Sequence, residues 1–430
     1  MSGLDGQCSL KKNAAAPGGS GAAKNQKPGQ GGSIPDTNKE RGMFYPDVSE
    51  AQNIFDLRDM AKRRIPKWLF EFVDRGTEEE VALRNNREAF ERIQLNPRML
   101  VDVSGRQMNT SVFGKEHKMP IGIAPTGAAG MMWYQGELEL AKAAKNAGVP
   151  FSLATGSITS MEKIAEEVGG TLWMQLYMWA DRKLSHQLVK RASAAGFEAL
   201  LVTVDGAVAG NREYNRRNGY SVPFHYNSKN TTDVLMHPRW LFGTLCRYLM
   251  NGGMPTRVNF PEELKGKITT GYGGNKDTRS DNLSWDDLKA LRDIWPGKLV
   301  VKGILHPDDA EKSLEYGADA VEVSNHGGRN CDGAPAPIEV LPSIVKAVGD
   351  KTTIIFDSGV RRGSDVVKAL ALGADFVLIG RSTLYGTAAA GYDGAKRALD
   401  IYNGEISRAM AQIACNRVSE IGPQHVRLPH

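Results

Sequence analysis

Cysteine is scarce. The 430 residues hold four, Cys8, Cys246, Cys331 and Cys415, far apart and with no CxxC pair. That leaves no sequence-evident zinc or redox-dithiol motif, and such sparing use suits a reducing compartment. An apolar N-terminal h-region is missing, as is any apolar run long enough to span a bilayer, so neither secretion nor membrane spanning is expected. Net charge is only +5, and part of it sits at Lys11, Lys12, Lys24 and Lys27. No compact basic stripe with interleaved aromatics accompanies it, which argues against a nucleic-acid partner. An early GxGxxG, the fingerprint of dinucleotide folds, does not occur.

What is present is ordinary for a soluble globular chain: 41% hydrophobic and 24% charged residues. Residues 1–45 are rich in Gly, Ala, Pro, Asn and Lys, bury too little apolar surface to offset chain entropy, and are expected to form a disordered tail. One domain over 46–430 is expected to follow. Ile54, Leu57, Met60 and Ala61 share a helical face, and Pro66 stands near the first turn of a second helix. Asn96 to Phe113 reads as short extended pieces broken by Gly105 and Gly114.

From about residue 120 a regular alternation takes over. β-rich runs are predicted at 121–124, 151–154, 172–176, 200–204, 299–301, 320–323, 353–356 and 376–379, most of them separated by amphipathic stretches such as 136–148 and 364–373. Eight strands alternating with helices predict an α/β fold, a (β/α)8 TIM barrel with an N-terminal helical segment. A doubly wound sheet would also alternate, but the count of eight and the missing glycine fingerprint favour the barrel. One connection is abnormal: residues 207–282, after the fourth strand, predict a long loop over the catalytic face.

Such barrels gather their chemistry at the C-terminal strand ends. Here those ends deliver Pro125-Thr126-Gly127, Ala154 and Gly156, Gln175 and Tyr177, Thr203 and Asp205, Lys302, Ser324-Asn325-His326, Asp357-Ser358-Gly359, and Gly380-Arg381. A structural barrel has no need of Gln175, Asp205, Lys302 and His326 at one rim. His326 and Arg329 flank two glycines: the imidazole can move a proton near neutral pH, and the guanidinium can grip a small carboxylate. The loops after the last two strands, with the helix that begins near Ser364, form the usual phosphate site of this fold, to which Arg361 and Arg381 add charge. A cofactor with one phosphate fits there, FMN better than a dinucleotide, and Lys302 would then stabilise negative charge on the reduced ring. No metal site is expected.

On Ser324-Asn-His-Gly-Gly-Arg329, Asp357-Ser-Gly-Val-Arg-Arg362, Gln175-Leu-Tyr177 and Val301-Lys302-Gly303, the chain resembles the FMN-dependent L-2-hydroxy acid oxidases and dehydrogenases, from about Ile54 onward. Pro125-Thr126-Gly127 and His237-Pro238-Arg239-Trp240 look most like the membrane-associated mandelate and lactate dehydrogenases. The resemblance implies His326 as base with Asp205 behind it, Arg329 and Arg212 on the carboxylate, and Tyr177 on the substrate hydroxyl. FMN would meet Thr126, Gln175, Thr203, Lys302, Ser324, Asp357, Arg361, Gly380 and Arg381. Electrons could reach the flavin as a hydride or after carbanion formation. A homotetramer is also implied.

Departures from the family fall on the substrate side. Phe72 stands where a carboxylate-binding Tyr is usual, Ala154 replaces a flavin-contacting Ser, and Asn330-Cys331 replace Gln-Leu. Gly156 occupies the place of a pocket Trp, which predicts a roomier pocket and an aromatic or bulky, mandelate- or lactate-like substrate. Gly127, where many oxidases carry Ala, points to electrons leaving for a quinone or cytochrome; an oxygen-using oxidase is the alternative. A non-catalytic binding barrel would retain neither the base nor its clamps. Residues 237–250 could lie in a membrane interface, placing a cytoplasmic protein on the inner face, or could pack as a lid on the barrel.

Overall fold

The computed structural model describes residues 47–127, 129–220, 224, 227–269 and 281–428. The expected 1–45 tail lies outside these, as does the Gly271–Gly274 part of the long connection. Eight parallel strands close into a barrel: β1 (Ile121–Ile123), β2 (Phe151–Ala154), β3 (Leu172–Leu176), β4 (Ala199–Thr203), β5 (Lys298–Ile304), β6 (Ala320–Val323), β7 (Thr353–Phe356) and β8 (Phe376–Ile379). β8 pairs with β1 to complete the ring. Each strand is covered on both faces, so its sequence is a nearly continuous apolar run.

The two faces form separate cores. Trp173, Ala199, Leu201, Val300, Ala320, Ile355, Phe376 and Leu378 pack together inside the barrel, while Leu172, Met174, Leu200, Val301, Val321 and Phe356 pack outward with the helices. This is the period of two along a strand. A hairpin, Thr110–Val112 with Lys115–His117, adds Val112 to the inner core and sets Phe113 against Trp173, 5.5 Å between rings.

Before the barrel, Asn53 caps the helix Ile54–Arg64 by accepting from Phe55 N and Asp56 N, and Asp56 answers to Asn53 N. Pro66 precedes the helix Lys67–Asp74, whose Phe72 and Val73 reach the barrel's C-terminal mouth. The helix Val81–Arg92 sends Asn86 to the same mouth, where it exchanges two hydrogen bonds with Asn325, at 2.8 and 2.7 Å.

The long connection expected after β4 is present and carries several short helices among its described residues. It contains Glu213–Arg217, Ser228–Leu235, and a helix that runs Pro238–Trp240, widens to π turns over Leu241–Cys246 and closes over Arg247–Met250. Asn227 and Asn230 form a reciprocal cap on the second of these, a local signal that carries no long apolar period. Trp240 is buried against Trp68 and donates through Nε1 to the carbonyl of Met131, and Gln135 N donates to Tyr248 Oη. The opposite face is left in solvent: Phe242 is 66% and Met250 74% exposed. The inner face thus packs as the lid expectation had it, and the outer face is apolar and exposed.

Candidate active site

The inward period of two puts a layer of polar and small residues above the inner core. Gln175 follows Trp173, Thr203 follows Leu201, Lys302 follows Val300, Glu322 follows Ala320 and Asp357 follows Ile355. Above them lies a cavity of about 310 Å³. Pro125, Thr126, Gly127, Ala154, Gly156, Gln175, Tyr177, Arg212, Lys302, His326 and Arg329 line it, as do Asp357, Ser358, Gly359, Arg361, Gly380, Arg381 and Phe72. Asp205, Thr203 and Ser324 stand behind the wall. Thr203 Oγ1 accepts from Gln175 Nε2 at 2.9 Å, and Ser324 Oγ accepts from His326 N at 3.0 Å.

His326 is held in the left-handed region, φ 58°, which few residues with a Cβ adopt. The turn continues through Gly327, where a Cβ would meet Arg381 Nη1 at 2.5 Å; only glycine lets that guanidinium approach. His326 Nδ1 lies 2.9 Å from Asp205 Oδ1 and Nε2 lies 3.1 Å from Tyr177 Oη. A carboxylate can only accept here, so Nδ1 carries the proton and Nε2 presents its lone pair to the cavity side. Asp205 is steadied by Asn330 Nδ2, 2.9 Å from its carbonyl and 3.3 Å from Oδ1. It closes over a bulge in β5 at Gly303, φ 107°, where a Cβ would fall 2.7 Å from that of Asp205.

The electrostatics of the mouth are lopsided. Arg329 Nη1 donates to the carbonyls of Val73 and Arg75, and Arg381 donates to those of Val73, Gly327 and Arg75. Arg212 donates to the carbonyl of Arg329. Burial, then the neighbouring guanidinium of Arg212, pushes Arg329 down to about 10; burial and Arg329 do the same to Arg381. A site this cationic is built to receive anions. Phe72 lies beneath the guanidinium of Arg329 at 5.3 Å and against the ring of Tyr220 at 4.9 Å. At Gly156 a Cβ would meet nothing within 4 Å, so the pocket is open there.

One expected donor set is already engaged. At the helix Gly363–Ala371, Arg361 N and Arg362 N donate to Asp365 Oδ2, and Gly363 N donates to Glu405 Oε2. Of the helix's own amides, Gly363 N is thus engaged by a side chain. Arg361 and Arg381 line the cavity and give it cationic character, and Arg381 opens the helix Arg381–Gln412 without a side-chain cap. Lys302 forms an ion pair with Glu322 and lies 2.5 Å from Asp357 Oδ2. Glu322 and Asn86 were not singled out from sequence. A charged residue at an inward position of a barrel strand was the available signal for Glu322.

The residues fit FMN. The cavity lining combines Lys302 and an oriented Gln175 amide with Arg361 and Arg381, the complement of a polar ring edge and a phosphate. Among the described residues there is no cluster of His, Cys, Asp and Glu that could hold a metal ion.

Comparison with known proteins agrees. The model of the FMN-dependent dehydrogenase family matches residues 61–428. (S)-Mandelate dehydrogenase of Pseudomonas putida is 39% identical over 380 residues, covering 88% of this chain and 95% of its own. L-lactate oxidase of a Nostoc species is 39% identical over 386 residues, covering 89% and 99%. Among solved structures, (S)-mandelate dehydrogenase, described as a monotopic membrane protein, superposes with a TM-score of 0.83 at 38% identity, over 88% of this chain and all of that one.

Proposed function

The chain belongs to the FMN-dependent dehydrogenase family, and from that premise we propose that it oxidises an L-2-hydroxy acid with an aromatic or bulky side chain to the 2-oxo acid. The observation that carries this reading is the pair of part-buried guanidiniums, Arg329 and Arg381, bonded to main-chain carbonyls beside a His–Asp pair. A carboxylate on Arg329 and Arg212 would relieve their mutual repulsion and place its neighbouring carbon near His326.

His326 Nε2 takes the substrate proton, and Asp205 stabilises the imidazolium that results. Tyr177 Oη, already 3.1 Å from Nε2, orients the substrate hydroxyl. Thr126, Gln175, Lys302, Arg361 and Arg381 would hold FMN, which when bound accepts the two electrons leaving the substrate carbon. Phe72 and Trp179 exclude water at the cavity edge.

The electrons then pass to a membrane carrier in preference to oxygen. Two features support this: Gly127 at the cavity, and the exposed apolar face of Phe242, Leu249 and Met250 with Arg239 beside it. No helix among the described residues is long and apolar enough to cross a membrane, so the association would be peripheral. Anaerobic mixing with L-mandelate, L-lactate and glycolate tests the reaction. The flavin absorbance should bleach fastest with L-mandelate, and a protein that binds FMN but is bleached by none of the three would refute it. Admitting air tests the acceptor: rapid, stoichiometric peroxide would mark an oxidase.

A further inference from the structure

The barrel interior contains one charged group that the oxidation leaves without a task. Glu322 occupies an inward position of β6 and is 0% exposed. Its Oε1 is paired with Lys302 Nζ, while its Oε2 has no hydrogen-bond partner. Lys302 Nζ also meets Asp357 Oδ2 at 2.5 Å and Ser324 Oγ at 3.2 Å. Two carboxyl groups thus face one ammonium, with Asp205 beyond Lys302 adding a third acidic group to its field. On the β7 side, the register partner of Glu322 is the apolar Ile355.

Two full negative charges against one positive charge leave a net charge in a medium of low dielectric constant, which is strongly unfavourable. Retaining one proton on the pair removes it. Asp357 has more to hold an anion: Ser358 Oγ donates to its Oδ1 at 2.8 Å, and it lies at the rim. Glu322 lies deeper and has one partner. Burial pushes its carboxyl up to about 8; burial raises Asp357 too, but there the charge of Lys302 together with hydrogen bonds from Lys302 and Ser324 prevails and holds it below the usual carboxylate range.

We propose that Glu322 is a positioning residue acting through Lys302, a buried carboxyl that when neutral leaves the ammonium to serve the flavin and that, where it is ionised, takes up a proton when the flavin is reduced. This rests on FMN lying against Lys302, as read above. Reduction brings two electrons from the hydroxy acid and leaves added negative charge beside Lys302. Where Glu322 is ionised, that charge raises its proton affinity, and the proton comes from solvent. Below that pH the carboxyl is already neutral and nothing is taken up.

The test is the midpoint potential of bound FMN against pH in the wild-type holoenzyme, Glu322→Gln and Lys302→Met. Wild type and Glu322→Gln should coincide well below pH 8, the value near which the carboxyl titrates. Above it the wild-type slope should steepen by one proton per two electrons, and the Gln variant should not. Parallel slopes overturn the proposal. Should Glu322→Gln lose FMN, the wild type alone decides. Its reduced-minus-oxidised infrared difference spectrum at about pH 9 should gain a protonated-carboxyl band that shifts in D2O. Absence of that band overturns the proposal equally. Lys302→Met separates the two failures. An unchanged potential would show that FMN does not lie against Lys302, whereas a lowered one with parallel Glu322→Gln slopes would remove only the role of Glu322.

Discussion

Tyr177 Oη stands 3.1 Å from His326 Nε2, on the side of the imidazole opposite Asp205. The ring is therefore fixed at both nitrogens before any substrate arrives, and its lone pair is directed by contacts from β3 and β4. A base oriented this way loses little entropy on reaching the reacting geometry.

Asp205→Asn should keep the fold and the FMN spectrum while slowing anaerobic flavin reduction by about 10²-fold or more. An amide cannot stabilise the imidazolium as a carboxylate does, and it can turn an N–H toward Nδ1 and force the other tautomer. Stopped-flow reduction with saturating substrate checks this, and a rate within about threefold of wild type would show that Asp205 only packs.

The guanidinium cluster predicts a pH dependence. Arg329 and Arg381 are pushed down to about 10, so both are cationic at neutral pH and lose charge as pH rises through that value. An anion bound there favours the charged form. The ratio kcat/KM should therefore fall above about pH 9.5–10 while kcat holds to higher pH. The same repulsion destabilises the empty protein below about pH 10, so inorganic phosphate should raise the Tm of the apoprotein. At about 100 times its Kd it would contribute about 2.7 kcal/mol.

Substrate choice should follow Gly156 and Phe72. Gly156→Trp fills open space and should lower kcat/KM for mandelate relative to lactate by about tenfold or more. Phe72→Tyr places a hydroxyl beside Arg329 and should tighten carboxylate binding by roughly 1.5–3 kcal/mol, read as a lower KM. Unchanged ratios in both would mean that the side chain of the substrate points elsewhere.

Replacing Phe242, Leu249 and Met250 together by Ser should weaken binding to vesicles containing anionic lipid. Each side chain buried in lipid stabilises by about 1.5–3 kcal/mol, so the loss should exceed tenfold. Activity with a soluble dye acceptor should persist, because Trp240, Thr244 and Tyr248 keep the inner face packed.

The barrel was legible because strands buried on both faces leave apolar runs, and the predicted bounds of Phe151–Ala154, Leu172–Leu176 and Phe376–Ile379 coincide with the strands formed. The rim was legible through the fold rule that places chemistry at strand ends. Glu322 escaped because Ala320-Val321-Glu322-Val323 reads as one apolar run unless its two faces are separated. The connection after β4 was read as a loop because its helices are short and begin on local signals, the Asn227 cap and Pro238 in a first turn. Placing Thr203 and Ser324 behind the wall needed the contacts of Gln175 and His326, which depend on side-chain direction and leave no mark in spacing.

The role of His326 as base is tested most directly by the anaerobic rate of flavin reduction by L-mandelate in His326→Gln against wild type. That rate should fall by about 10²–10⁴-fold with FMN still bound and mandelate affinity changed by only a few-fold. A rate within about tenfold of wild type would contradict it, because the proton would then leave by a route that His326 does not serve.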